Sequence, residues 1–221
     1  MQLIIFDCDG TLVDSQHTIV GRMTAAFKGL GYAAPNPGKI RELIGLSLEE
    51  TIQRLLPDSN AVAVDHLAAA YQEQFIEYHG SDGSLEPLFP CAEKALRTLH
   101  SRGYLLGVAT GKSQHGLEAI LEGHKLRDIF STLQTADGHP GKPHPSMLHQ
   151  AMTETGVEAN DTLMLGDTSF DMAMAVNAGV HPVGVVWGYH CADALRVAGA
   201  RTVLEDYCDL LPCVEEMWPE V

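Results

Sequence analysis

Leu3-Ile4-Ile5-Phe6-Asp7-Cys8-Asp9-Gly10-Thr11-Leu12-Val13-Asp14-Ser15 is the stretch on which the fold turns. An unbroken apolar run meets two acids spaced two apart. Such a run, bounded by turn residues, reads as a strand buried on both faces. In extended chain, residues i and i+2 face the same side, so Asp7 and Asp9 are expected on one face. Two like charges that close repel unless a cation or a proton lies between them. A hard divalent cation suits an all-oxygen pair, and Mg²⁺ keeps few protein ligands. Taken alone, the same spacing is also compatible with a solvated acidic loop.

Downstream, apolar residues recur at helical spacing. Ile19, Met23, Phe27 and Leu30 mark a helix over about 15–30. Ser47-Leu48-Glu49-Glu50 fits a capping box that opens a helix ending near Pro57. Leu67, Ala70, Tyr71, Gln74, Phe75 and Tyr78 mark another over 62–78. Gly80-Ser81-Asp82-Gly83-Ser84 reads as a loop. From there the pattern alternates. Helices are expected at 91–101, 113–122, 145–155, 170–178 and 192–198, and strands at 104–109, 129–134, 162–165 and 183–186. Alternation of this kind implies an α/β fold, a parallel sheet covered on both faces. The helical block between the first strand and the rest has the form of an inserted domain.

Ligands of open α/β sheets bind outside the carboxyl ends of the strands. Ala109-Thr110-Gly111-Lys112-Ser113 is one such end, with a hydroxyl, free N–H groups and a helix start that together suit an anion. It is not a P-loop, because three residues rather than four separate Gly107 from Gly111-Lys112. An ordinary helix start remains the alternative. Gly166-Asp167-Thr168-Ser169-Phe170-Asp171 is another end. Its acids are four apart and share a face if the helix begins at once, and Asp167 is also a candidate N-cap. Gly141-Lys142-Pro143-His144-Pro145 carries a lysine that would otherwise pass for a surface loop residue.

Composition narrows the field. The 221 residues carry 14 Lys and Arg against 29 Asp and Glu, a formal charge of −15. Nucleic-acid backbones and anionic membranes recruit the opposite sign, so neither is an expected partner. No apolar run reaches the roughly 18 residues of a transmembrane helix. The N-terminus meets Asp7 before any signal-like apolar region forms, so the chain is expected in the cytoplasm. Five cysteines without a CxxC pair point to reduced thiols. There is no GxSxG elbow and no HExxH.

In order along the chain stand DxDGT at Asp7, a strand-end Thr110, Lys142, and GDxxxD ending at Asp171. This set resembles the haloacid dehalogenase superfamily in its phosphatase branch, and the likeness covers essentially the whole chain. Asp9 to Ser15 and the TGKS at Thr110 look most like the phosphoglycolate-phosphatase-like subgroup. The resemblance implies a Rossmann-like core over 1–14 and 86–221 and an all-helical cap over 15–85. It implies Asp7 as a nucleophile that becomes an aspartyl phosphate, and Asp9 as the acid and base. Thr110, the Gly111 N–H and Lys142 would hold the phosphoryl oxygens. Asp7, the Asp9 backbone carbonyl and Asp167 would ligate Mg²⁺. Asp171 would act through a water or by orienting Lys142.

The second acid, Asp9, sets this chain apart from dehalogenases and phosphonate-cleaving relatives, which lack it. Gly45, in Leu43-Ile44-Gly45-Leu46-Ser47, resembles the specificity loop and would let backbone approach the substrate. Two positions depart from the family pattern. Pro90-Cys91 stands for the usual Pro-Gly, and Ser47 for a usual Pro, the latter bearing on substrate choice. The implied partner is a small phosphorylated metabolite of phosphoglycolate or sugar-phosphate type, bound by a monomer or homodimer. A phosphosugar mutase of the same family and a non-enzymatic binding protein on the same fold are the rivals. His139 and His144 could be read as a metal pair but fit solvated loop residues better. Trp187-Gly188-Tyr189-His190 follows the last clear strand on the catalytic side and could line the pocket, although Trp187 fits packing better.

Overall fold

A computed structural model of the chain describes residues 1–56, 60–81 and 85–219, with backbone alone over 74–81. The strands are β1 (Leu3–Phe6), β2 (Leu105–Thr110), β3 (Thr132–Thr135), β4 (Thr162–Gly166), β5 (His181–Val185) and β6 (Thr202–Leu204). Helices α1 (Gln16–Gly29), α2 (Pro37–Leu43), α3 (Leu48–Leu55) and α4 (Ala61–Ser81) lie between β1 and β2 in the chain. The rest are α5 (Ala92–Ser101), α6 (Gln114–Gly123), α7 (Ser146–Thr155), α8 (Ser169–Ala178), α9 (Ala192–Val197) and α10 (Leu210–Met217).

The strands form one parallel sheet in the order β3-β2-β1-β4-β5-β6. This is the Rossmann-like order, and it reverses at β1. The residues of β1 are wholly buried because helices cover both faces. Ile4 and Phe6 pack with Leu96, Leu106, Val108 and Leu117. Leu3 and Ile5 point the other way, onto Met147, Leu148, Met164 and Met174. Each such side chain contributes roughly 1.5–3 kcal/mol by leaving water. The carboxyl ends of β1, β2 and β4 therefore lie side by side at the reversal.

Helices α1–α4 bury their own apolar cluster, including Met23, Phe27, Ile40, Ile52 and Leu67. Two chain segments join them to the sheet and run antiparallel, with Val13 bridged to Leu88. Asp14 N–H donates to the Pro87 carbonyl at 2.9 Å, and Phe89 N–H to Leu12 at 3.0 Å.

Several boundaries differ from the sequence reading. Helix α4 runs through Gly80 and Ser81, where a loop was expected, while 82–84 lie outside the described residues. Helix α3 closes at Leu55, and Pro57 also lies outside them. The strand expected from 129 starts only at Thr132, because Arg127–Ile129 winds into a 3-10 turn. Helix α2 was not anticipated, although Asn36 caps it through Gly38 N–H and Pro37 opens it. Edge strand β6 and helix α10 were also missed. With three residues, β6 is too short for a period to show. Among the described residues no helix is long and apolar enough to cross a membrane.

Candidate active site

Asp7 follows β1 directly, and its N–H extends the ladder to Leu165 O at 2.9 Å. Its carboxylate is fully buried. The Lys142 ammonium lies 2.7 Å from Asp7 Oδ1 and 2.6 Å from Asp171 Oδ1. Asp7 Oδ2 is buried with no hydrogen-bond partner among the described residues. Burial, opposed by Lys142 and reinforced by Asp171, raises the Asp7 carboxyl to about 7. Lys142 stays protonated because Asp171 and Asp7 together outweigh its own burial.

Asp171 stands in the first turn of α8 and serves two partners. Thr168 caps the helix by accepting from Asp171 N–H, and its own N–H and hydroxyl donate to Asp171 Oδ2 at 3.0 and 2.6 Å. The other oxygen faces Lys142, so the cap fixes the carboxylate that fixes the lysine. Thr168, not Asp167, is therefore the N-cap. Asp167 instead turns toward β1, taking the Thr11 hydroxyl at 3.0 Å and Tyr189 N–H at 2.8 Å. Burial first, then repulsion from Asp171 and Asp7, raises its carboxyl well above the usual range. The approach is so close that a Cβ on Gly10 (φ +86°) or Gly188 would overlap the Asp167 side chain.

Oxygens of Asp7, Asp167 and Asp171 lie within 4.8 Å of one another. Three buried carboxylates thus cluster together, a single ammonium pairs with two of them, Asp7 and Asp171, and Asp7 Oδ2 has no donor among the described residues. An all-oxygen set with surplus negative charge fits a hard divalent cation such as Mg²⁺. Asp7 alone of the three has an oxygen without a donor, since Asp167 accepts on both oxygens and Asp171 serves the cap and Lys142.

Asp9 has a separate cation. Its Oδ1 lies 2.9 Å from the Lys112 ammonium, which is 3.4 Å from Glu86 Oε2. Burial raises the Glu86 carboxyl, an effect that Lys112 opposes. Thr110 ends β2 in a buried position, and its hydroxyl accepts from Lys112 N–H at 3.2 Å. The segment around Gly45 rests against this end. A Cβ on Gly111 would lie 2.5 Å from the Leu46 carbonyl and 2.9 Å from that of Gly45. Gly45 itself has φ +103° and faces Thr168. A cavity of about 660 Å³ opens beside it, with Asp9, Gly111 and Lys112 on one wall and Arg22, Gly45 and Tyr71 on the other.

The structure brings Asp7, Lys142, Asp167 and Asp171 into one cluster, and Asp9, Gly111 and Gly45 onto the neighbouring cavity. The histidines are engaged elsewhere. His139 bonds Ser146 Oγ at 2.8 Å and Gln134 Oε1 at 2.9 Å, and His144 accepts from Ser146 N–H. Trp187 is a packing residue, tilted against Tyr207 with ring centroids 4.6 Å apart and its N–H donating to the Thr11 carbonyl. Sequence reasoning gave no role to Thr168 or Glu86, and it held Tyr189 only as part of a stretch that could line the pocket. Thr168 did carry a signal, a threonine three residues before an acid at a helix start. Glu86 carried none.

A buried carboxylate with a donorless oxygen, a second acid, a buried lysine and a cluster of three carboxylates at the switch point of a Rossmann-like sheet are the parts of a hydrolase of the phosphoryl-transfer kind. Residues 4–185 match the haloacid dehalogenase-like hydrolases, and the chain belongs to that family. It is 35% identical over 216 residues to the protein named "Probable phosphatase IndB" of Dickeya dadantii, covering 95% of this chain and 91% of that one. It is 30% identical over 219 residues to a phosphoglycolate phosphatase of Vibrio parahaemolyticus, covering 97% and 96%. A hydrolase from Pseudomonas syringae superposes with a TM-score of 0.85 at 25% identity, covering 98% and 99%. The chain is accordingly a phosphoric monoester hydrolase of the phosphoglycolate-phosphatase-like branch.

Proposed function

We propose that the chain is a Mg²⁺-dependent phosphatase of small phosphorylated metabolites, of phosphoglycolate or sugar-phosphate type, working through an aspartyl phosphate. The observation that carries this reading is the state of Asp7. One oxygen is held by Lys142, and the other is buried without a donor, available for attack.

Asp7 Oδ2 attacks phosphorus in line, and the bond to the ester oxygen breaks. Asp9 donates its proton to the departing alkoxide. Asp9, now a carboxylate, takes a proton from water, which attacks the same phosphorus and frees Asp7 and inorganic phosphate. Lys142, Thr110 and the Gly111 N–H hold the equatorial oxygens, and Lys142 offsets their charge. Asp7 and Asp167, with the Asp9 carbonyl, would hold Mg²⁺, which supplies the charge that lets an anionic carboxylate meet an anionic phosphate. Residues 15–85 act as the cap and 1–14 with 86–221 as the core. Closure of segment 44–46 over the strand ends excludes water and favours small substrates. The phosphatase relatives favour hydrolysis over the mutase alternative. The five unpaired cysteines suit a reducing compartment such as the cytoplasm.

The reading is tested by acid-quenching the enzyme with a ³²P-labelled ester. A hydroxylamine-labile phosphoenzyme is expected, and its absence during turnover overturns the covalent route.

Melting temperature reports the metal without recourse to activity. The folded pKa of Asp7, about 7, is raised above its ordinary 3.8. Its stabilising contribution is therefore complete below the unfolded value and is lost as pH rises through about 7. In chelator, the melting temperature is expected to fall as pH rises from about 4 to about 7 and to level off above that. Mg²⁺ needs the deprotonated carboxylates, so its stabilisation is expected to be larger at the higher pH. A Mg²⁺ shift that is absent or greater at the lower pH counts against the site.

A further inference from the structure

We propose that Glu86 and Lys112 are a positioning pair that aims the Asp9 carboxylate at the leaving oxygen. This rests on the reading of Asp9 as the proton carrier. Lys112 bridges the two acids at 2.9 and 3.4 Å, and all three side chains are at least roughly nine-tenths buried, with exposures of 11%, 11% and 4%. The bridge is anchored at each end. Lys112 N–H is tied to Thr110 at the end of β2. The Glu86 carbonyl meets His124 Nε2 at 2.8 Å. Glu86 also belongs to the segment that leads out of the helical unit, and its neighbour Pro87 accepts from Asp14 N–H, in the loop that bears Asp9.

A lysine ammonium is a point charge on a flexible stem, and a single acid would not fix where it sits. A second buried carboxylate behind it does. Asp7 already has Lys142, so each acid of the DxD pair is served by its own lysine and neither competes for the other's. A proton carrier must lie within about 2.6–3.2 Å of the atom it serves. A misplacement of about 1 Å costs on the order of 10²-fold. The Glu86–Lys112 bridge is the device that sets this distance for Asp9.

Leaving-group dependence tests the pair. An alkyl phosphate needs its leaving oxygen protonated, whereas p-nitrophenolate departs readily without help. kcat/KM reports the first chemical step for both. Glu86→Gln is expected to lower kcat/KM on the alkyl ester by about 10²-fold, and on p-nitrophenyl phosphate by at least about tenfold less. In an Asp9→Asn background, Glu86→Gln is expected to change the alkyl-to-aryl ratio no further. Lys112→Met gives the same readout should Glu86→Gln fail to fold. Equal losses on both esters, or effects additive with Asp9→Asn, overturn the proposal. If Asp9→Asn itself leaves the ratio unchanged, the proton-carrier reading falls and the proposal with it. If Asp9→Asn shifts the ratio and neither partner variant does, the positioning pair alone is overturned.

Discussion

Asp7→Asn is expected to abolish phosphate release while leaving the fold intact. The amide has nearly the shape of the carboxylate but cannot form the bond to phosphorus. Removing a covalent nucleophile costs at least about 10⁴-fold in kcat, as in other hydrolases. No hydroxylamine-labile phosphoenzyme should form. The stability of the same variant points the other way. Burial holds the Asp7 carboxyl up near 7 despite the adjacent Lys142, so ionised Asp7 is a cost to the metal-free fold. A neutral amide removes that cost while Lys142 retains Asp171 at 2.6 Å. Above neutral pH and in chelator, the variant should melt no lower than the parent. A dead enzyme of undiminished stability marks a residue kept for chemistry. Turnover within about tenfold of the parent would remove Asp7 from the nucleophile's place.

Lys142→Met is expected to cost both activity and stability. Met matches the stem but lacks the ammonium, which is wholly buried between Asp7 and Asp171. Breaking a buried ion pair by removing one partner typically costs about 3–5 kcal/mol, since the remaining charge is left uncompensated. For a chain of this size that corresponds to a melting temperature lower by on the order of 10 °C. The sign with pH follows from the acids left behind. Their protonation relieves the repulsion, so the deficit should be largest above neutral pH and shrink as the solution is acidified. Differential scanning calorimetry in chelator measures this. A deficit that grows on acidification would mean that the lysine does not compensate these carboxylates.

The strand at residues 3–6 and the acids after it could be read locally, because a continuous apolar run followed by i, i+2 acids needs no knowledge of distant chain. Thr110 and Asp167 were legible for the same reason, each closing an apolar run. Lys142 was different. Nothing in Gly-Lys-Pro marks a buried residue, and only the family resemblance pointed to it. Its partners lie 135 and 29 positions away. Glu86 was invisible, since a lone acid beside a helical block looks like any solvated one.

Sequence alone determined the alternation that makes a parallel sheet, the helical insertion, and the acids at the strand ends. These follow from periodicity and from chain neighbours, which travel with the local sequence. The tertiary structure alone decided how the charges pair: Asp7 with Lys142, Asp9 with Lys112 and Glu86, and Asp171 with the Thr168 cap. Pairing depends on which strand ends meet at the reversal beside β1 and on how deeply each group is buried. Burial makes a charge costly enough for its partner to matter, and it exists only once the sheet has closed over both faces of Leu3–Phe6.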